Sequence, residues 1–231
     1  MDNRRVYRTI RMALKQLFPS EPKGNFARRL TTLAALVAGI VQARSCQLPA
    51  IARKTPDPAK ADSRIKRYSR WVQHEKVEPE AYYLPFVREL LAHLATIREL
   101  VFVIDGSEVG HACITLMISL IYGKRALPIT WLVVKGRKGH LSEQVQLTLL
   151  NQLHAILPPG ARMIFLGDGE FDGIALLSAL QHKGWRYVCR TAKTPNCLKK
   201  ICCFRFRICA SKWMISSISR RFGSPRRDMA R

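Results

Sequence analysis

The chain is expected to be an α/β protein: a helical segment over residues 1–95, followed by a mixed sheet over residues 99–194 in the order β-β-β-α-β-α-β. Three observations carry this. Apolar residues recur at helical spacing in the first segment, short apolar runs ending at turn residues begin at residue 99, and helical stretches enter among those runs only after the third. The 231 residues suffice for one good core or two small ones, and 48% hydrophobic with 24% charged residues describe a folded chain, not a disordered one.

In "FARRLTTLAALVAGIVQAR" one helical stripe collects Leu30, Leu33, Ala34, Val37, Ile40 and Val41, with Arg28, Arg29 and Arg44 off it. A short segment, "LPAIARKT", follows, the proline-bearing "PDPAKADS" interrupts, and "RIKRYSRWVQHE" resumes a basic helix. Short helices joined by tight turns, with Arg53, Lys54, Arg64, Lys66, Arg67 and Arg70 on the later ones, suit a helix-turn-helix-like DNA reader. A helical bundle with a solvated basic face fits the same pattern.

From residue 99 the apolar runs shorten. "ELVFVIDGS" reads as a buried strand ending at Asp105, "ACITLMISLIYGK" as a second and "ALPITWLVVKG" as a third. After the basic loop "KGRKGH", Ser142 is placed to cap a helix carrying Val145, Leu149, Leu150 and Leu153 along one side. The strand "RMIFLG", an acidic turn, the helix "GIALLSALQHKG" and the strand "WRYVCRT" complete the order.

The acidic turn, "GDGEFDG", admits three chemistries. Asp168, Glu170, Asp172 and Gly173 meet the first positions of an EF-hand loop, but position 12 is Ala179 where a bidentate Glu is required, and a strand precedes the loop instead of a helix. A dinucleotide turn needs a third glycine where Asp172 stands, and three carboxylates would repel the pyrophosphate. There remains an acid at a strand end in need of a partner.

Topology supplies one. Three consecutive strands are most simply antiparallel, and a strand reached through a helix returns parallel, commonly beside the first. Asp105 and Asp168 would then end adjacent parallel strands, and two carboxylates so close repel unless a cation lies between them. Hard oxygen ligands select Mg²⁺ or Mn²⁺, which serve phosphodiester chemistry. Taken singly, Asp105-Gly106 is a turn signal and "GDGEFDG" a loop with solvated acids. His111, His140 and His154 lack metal-ligand spacing and suit surface or capping roles.

The formal net charge is +23, and it is unevenly placed. Lys and Arg outnumber Asp and Glu by 19 to 9 over residues 1–100, 10 to 6 over 101–195 and 10 to 1 over 196–231. A polyanion, most simply nucleic acid, is the implied partner. "LAALVAGIVQA" and "ACITLMISLIY" are too short for membrane spans, and the N-terminus has no signal-peptide pattern. A cytoplasmic protein with seven free cysteines is expected.

Four motifs in order, "VFVIDGS", "ALPITWLVVKGRKGH", "LGDGEFDG" and "GWRYVCRT", resemble the catalytic core of DDE transposases of bacterial insertion sequences, the branch that includes the Tn-five transposase. The likeness covers about residues 25–194. It implies an RNase H-like core with Asp105 and Asp168 as the first two metal-binding catalytic acids, and cut-and-paste transposition on two Mg²⁺ ions. It also implies a helical domain that reads terminal inverted repeats of double-stranded DNA, and a homodimer in a synaptic complex. Lys135, Arg137, Lys138 and Arg190 are candidate phosphate contacts, with solvated loop charges as the alternative.

The family's third acid, a Glu in a Tyr-Arg-Glu-Lys-type motif well beyond the second Asp, has no counterpart, since Glu170 is the last Glu in the chain. After Thr194 comes a basic tail, residues 195–231, with four cysteines and no clear periodicity. It is read as the product of a frameshift or a degraded element, not expected to fold, and Cys197, Cys202, Cys203 and Cys209 lack usable zinc-ligand spacing. The core is therefore incomplete at its C-terminal side, and this copy is expected to be inactive. Two further readings stay open: a non-catalytic DNA-binding inhibitor of full-length transposase, and a stand-alone metal-dependent nuclease using Glu170 or Asp172.

Overall fold

The computed structural model describes residues 2–136 and 141–189. The chain divides into two compact units, one formed by Met1–Glu99 with His154–Ala161, the other by Leu100–Leu153 with the residues from Arg162 on. The expected tail, residues 195–231, lies outside the described residues.

The first unit is helical: α1 (Asn3–Gln16), α2 (Gly24–Ala43), α3 (Leu48–Lys54), α4 (Ala61–Val72), α5 (Pro79–Tyr82) and α6 (Leu84–Ile97). Asp2 starts α1 by accepting the Arg4 N–H on its side chain. At its centre α2 packs on α1, α3 and α4. Its buried side is made of Leu30, Ala34, Ala35, Leu36, Ala38 and Gly39. Ile40 and Val41, expected on the core stripe, are exposed. The reason is close approach by α3: a side chain at Gly39 would meet Ile51 Cγ2 at 2.5 Å and Thr55 Oγ1 at 2.9 Å, so the smallest residues of α2 face inward. Tyr68 of α4 completes a cluster with Ala35, Leu36, Ile51 and Ala52, flanked by Tyr7, Leu48, Ile65 and Trp71. Phe18, Phe26, Tyr82 and Trp71 form a second, aromatic chain of contacts.

The expectation that no segment reaches membrane-spanning length needs correction. The apolar stretch belongs to a 20-residue helix, and by length and composition α2 is long and apolar enough to cross a membrane. A core helix passes the same test, and α2 has three helices against it.

The second unit is a five-stranded mixed sheet: β1 (Leu100–Gly110), β2 (Cys113–Tyr122), β3 (Arg125–Lys135), β4 (Met163–Gly167) and β5 (Arg186–Cys189), in spatial order β3-β2-β1-β4-β5. β1, β2 and β3 pair antiparallel, whereas β4 pairs parallel with β1 and β5 parallel with β4. Helix α7 (Glu143–Ile156) connects β3 to β4, and α8 (Ile174–His182) connects β4 to β5. The β-β-β-α-β-α-β order and the return of the fourth strand beside the first are as expected. The core residues include Phe102, Ile104, Leu116, Ile118, Phe165, Leu149, Leu153 and Leu180.

One detail differs from expectation. β1 does not end at Asp105 but runs to Gly110, because Asp105 to Glu108 continue the ladder with β2, from Met117 to Ile114. His111 is at the surface, as expected: with Ala112 it forms the β1–β2 turn, both residues at positive φ, a conformation hairpins favour for the match to strand twist. On the edge strand β3, Pro128 sits beside a bulge, a position where its missing N–H is tolerated.

Candidate functional site

The two aspartates lie just beyond the parallel β1–β4 ladder. Its register pairs Leu100 with Met163, Val101 with Ile164, Phe102 with Phe165 and Val103 with Leu166. Two residues further along both chains stand Asp105 and Asp168. Residues in register on parallel neighbours point to the same face, about 4.8 Å apart, and both aspartates are exposed while Phe102 and Phe165 are buried. Asp105 lies inside its strand; Asp168 is the first residue after β4.

The turn after β4 is built from within and from α7. Asp168 Oδ1 accepts the Glu170 N–H at 3.0 Å, and the Asp168 carbonyl accepts the Phe171 N–H at 3.1 Å. Fully buried Phe171 anchors the loop in the core. Sequence reasoning missed two residues of α7 that fix it. Gln146, 2% exposed, donates its Nε2 to the Glu170 carbonyl at 3.4 Å. Glu143 reaches the far end of the turn, where Oε2 accepts the Ala175 N–H at 3.0 Å. Gly173 makes no side-chain cap for α8, so Glu143 supplies one from another helix. Gly173 also makes room for the Glu143 carboxylate, which a β-carbon there would displace. The sequence signal was a Gly at an N-cap position with an acid opening the preceding helix, which nothing local connects.

Cys189, paired with Gly167 across β4 and β5, lies beside this turn. Burial pushes its thiol up to about 11, the Asp172 carboxylate and more weakly that of Asp168 add to the rise, and a Gly167 backbone hydrogen bond opposes it. The thiol is therefore protonated at neutral pH.

Two exposed carboxylates on one face are a hard-oxygen donor set that fits a Mg²⁺ or Mn²⁺ ion, which protein sites commonly hold by one or two carboxylates with substrate phosphates completing the shell. Among the described residues no three His, Cys, Asp or Glu side chains converge as a fuller cage. The nearest candidates for a further acid are Glu170 and Asp172 in the turn itself.

The expected DNA contacts fall into three groups. Arg64 and Arg67 are half-buried and occupied: Arg64 Nη1 donates to the Thr55 and Asp57 carbonyls at 2.9 and 3.0 Å, and Arg67 Nη2 pairs with the Asp57 carboxylate. Burial pushes the Asp57 carboxyl up, but the Ala59 N–H and the two guanidinium groups outweigh it, and the net shift is downward. These two arginines hold the α3–α4 loop. Arg53, Lys54, Lys66 and Arg70 are exposed, and Lys66 and Arg70 share one outward face of α4 with Ser63. Lys135 is exposed at the end of β3, opposite Cys113. Asp105 pairs with Met117 and Met117 with Trp131, so Lys135 is four residues, roughly 13 Å, along the sheet from the acid pair. Arg137, Lys138 and Arg190 lie outside the described residues.

A further basic surface was not singled out from sequence. Helix α1 bears five cations and no acid, and Arg4, Arg8, Arg11 and Lys15 recur on one exposed face. Their i, i+4, i+7, i+11 spacing is legible in the sequence.

No protein-family model matches the chain, and no curated protein matches it in sequence.

Proposed function

We propose that this chain is a DNA-binding protein of the transposase type, with an RNase H-like core in which Asp105 and Asp168 hold a Mg²⁺ or Mn²⁺ ion, working on DNA in the bacterial cytoplasm. The observation that supports the reading is the β1–β4 register, whose last pair is Val103 with Leu166 and which, extended by two residues on each chain, would bring Asp105 beside Asp168. The strand order β3-β2-β1-β4-β5, antiparallel on one side of β1 and parallel on the other, is compatible with an RNase H-like core. When bound, the ion would supply Lewis-acid stabilisation of charge on a phosphodiester.

The protein's own residues then have separable tasks. Asp105 and Asp168 bind the ion. Gln146 and Glu143 fix the turn that carries Asp168, from the Glu170 carbonyl and the start of α8. The first unit supplies the affinity for duplex DNA, and a homodimer on terminal inverted repeats is the assembly this reading entails. Among the described residues no third acid joins Asp105 and Asp168, so a second ion would lack most of its protein ligands, and in this reading these residues bind DNA without cutting it.

The test is Mn²⁺ calorimetry on the wild-type chain and Asp168→Asn. Loss of one of two hard ligands should weaken binding roughly tenfold or more. Equal affinity in the two proteins would remove the shared site.

A further inference from the structure

We infer that the outward face of α1, continued by the last turn of α3, is a sequence-independent phosphate-contact surface for duplex DNA. The inference rests on the DNA-binding reading above and assigns a part of it to residues that reading does not use. Arg4, Arg8 and Arg11 form an exposed stripe on a helix without acidic residues. Among the described residues no acid pairs with any of the three, whereas Lys15, which continues the stripe, is 3.1 Å from Glu21 and partly neutralised by it. From Arg4 to Arg11 the helix advances about 10 Å, close to the axial advance of three nucleotides on one strand. Arginine suits the task because its fork donates two parallel hydrogen bonds to a phosphate.

Two observations select the partner. The opposite face of α1, with Val6, Tyr7, Ile10 and Leu14 half-buried, is already used: α1 packs on α2, and Tyr7 packs against the cluster around Ile51 and Tyr68. An amphipathic helix binds a membrane by burying its apolar face, and in this one that face is already partly covered by α2. The second observation is a tie between helices. Asn3 Nδ2 donates to the Lys54 carbonyl at 2.9 Å, so the stripe begins at the end of α3, where Arg53 and Lys54 are exposed. Cations on two helices thus meet at one place. Long, flexible, exposed arginines reach phosphates and carry no base readout, so the contact adds affinity evenly across sequences.

The experiment compares the full-length chain with Arg4→Gln/Arg8→Gln/Arg11→Gln in fluorescence-anisotropy titrations of random-sequence duplexes over a salt series, with thermal melts to verify folding. Each lost phosphate contact should lower the slope of log affinity against log salt by about 1, so the triple variant should lose about 2–3, equally on unrelated duplexes. An unchanged slope would overturn the assignment and leave the DNA reading standing. Absence of duplex binding by the wild type would remove the DNA reading itself. If the variant keeps its DNA affinity but loses binding to phosphatidylserine–phosphatidylcholine vesicles that the wild type shows, the surface belongs to membranes and the assignment is overturned. Should the triple variant melt early, Arg8→Gln alone carries the same comparison, with a slope change of about 1.

Discussion

Cations that look alike in a helical sequence do different work. Arg64 and Arg67 bridge the α3–α4 loop through carbonyls and a carboxylate, while Lys66, between them, points outward on the face that also carries Arg70. Arg64→Ala should therefore destabilise the first unit by about 1–2 kcal/mol, since two loop carbonyls lose their donor, and Lys66→Ala should stay within about 0.5 kcal/mol. Thermal unfolding monitored by circular dichroism decides this. The pH dependence has a definite sign. The Asp57 carboxyl is held below its ordinary value, so its contribution is present at neutral pH, above the unfolded value, and is lost as pH falls through the folded one. The stability difference between wild type and Asp57→Asn should accordingly shrink below about pH 4. Equal effects of Arg64→Ala and Lys66→Ala would return both to the solvated face that composition alone suggests.

At the scale of elements, α7 joins the turn to α8. Gly173 leaves space for the Glu143 carboxylate, which caps α8 at Ala175, so the two residues should be coupled. Gly173→Ala is expected to cost about 1–2 kcal/mol in the wild type and markedly less in a Glu143→Ala background, a coupling that a double-mutant cycle on urea unfolding reads directly. Additive costs would mean the two residues act independently. This contact also marks where sequence reading stops. Apolar runs from Leu100 and Met163 announce two strands, and the rule that a strand reached through a helix returns parallel pairs the strand before Asp168 with that of Asp105, as observed. The continuation of β1 to Gly110 was hidden because "GSEVG" is polar and is held by pairing with β2, not by burial. The inward face of α2 was misjudged because close packing on α3 favours Ala and Gly over Ile40 and Val41. Glu143 and Gln146 act on a turn more than twenty residues away, through tertiary contacts that no local pattern encodes.

Across the whole chain, positive charge is concentrated in the first hundred residues and the last thirty-six, while the segment bearing the acid pair is nearer balance. Under the proposed function, supercoiled plasmid incubated with the 231-residue chain and Mg²⁺ or Mn²⁺ should remain unnicked, and replacing the segment after Thr194 by one that carries a helix-borne Glu should confer cleavage. Efficient nicking abolished by Glu170→Gln would instead make the chain a self-sufficient nuclease. The register that aligns the acids also makes their meeting a matter of parity. Strand side chains alternate faces, so inserting a single residue in β4 before Phe165 would turn Asp168 to the opposite face from Asp105 and expose Phe165 in the same step. A residue inserted at 157–161, between α7 and β4, changes neither. Length variation is thus tolerated in the connection and forbidden in the strand, so the acid pair is inherited or lost whole and cannot drift apart by degrees.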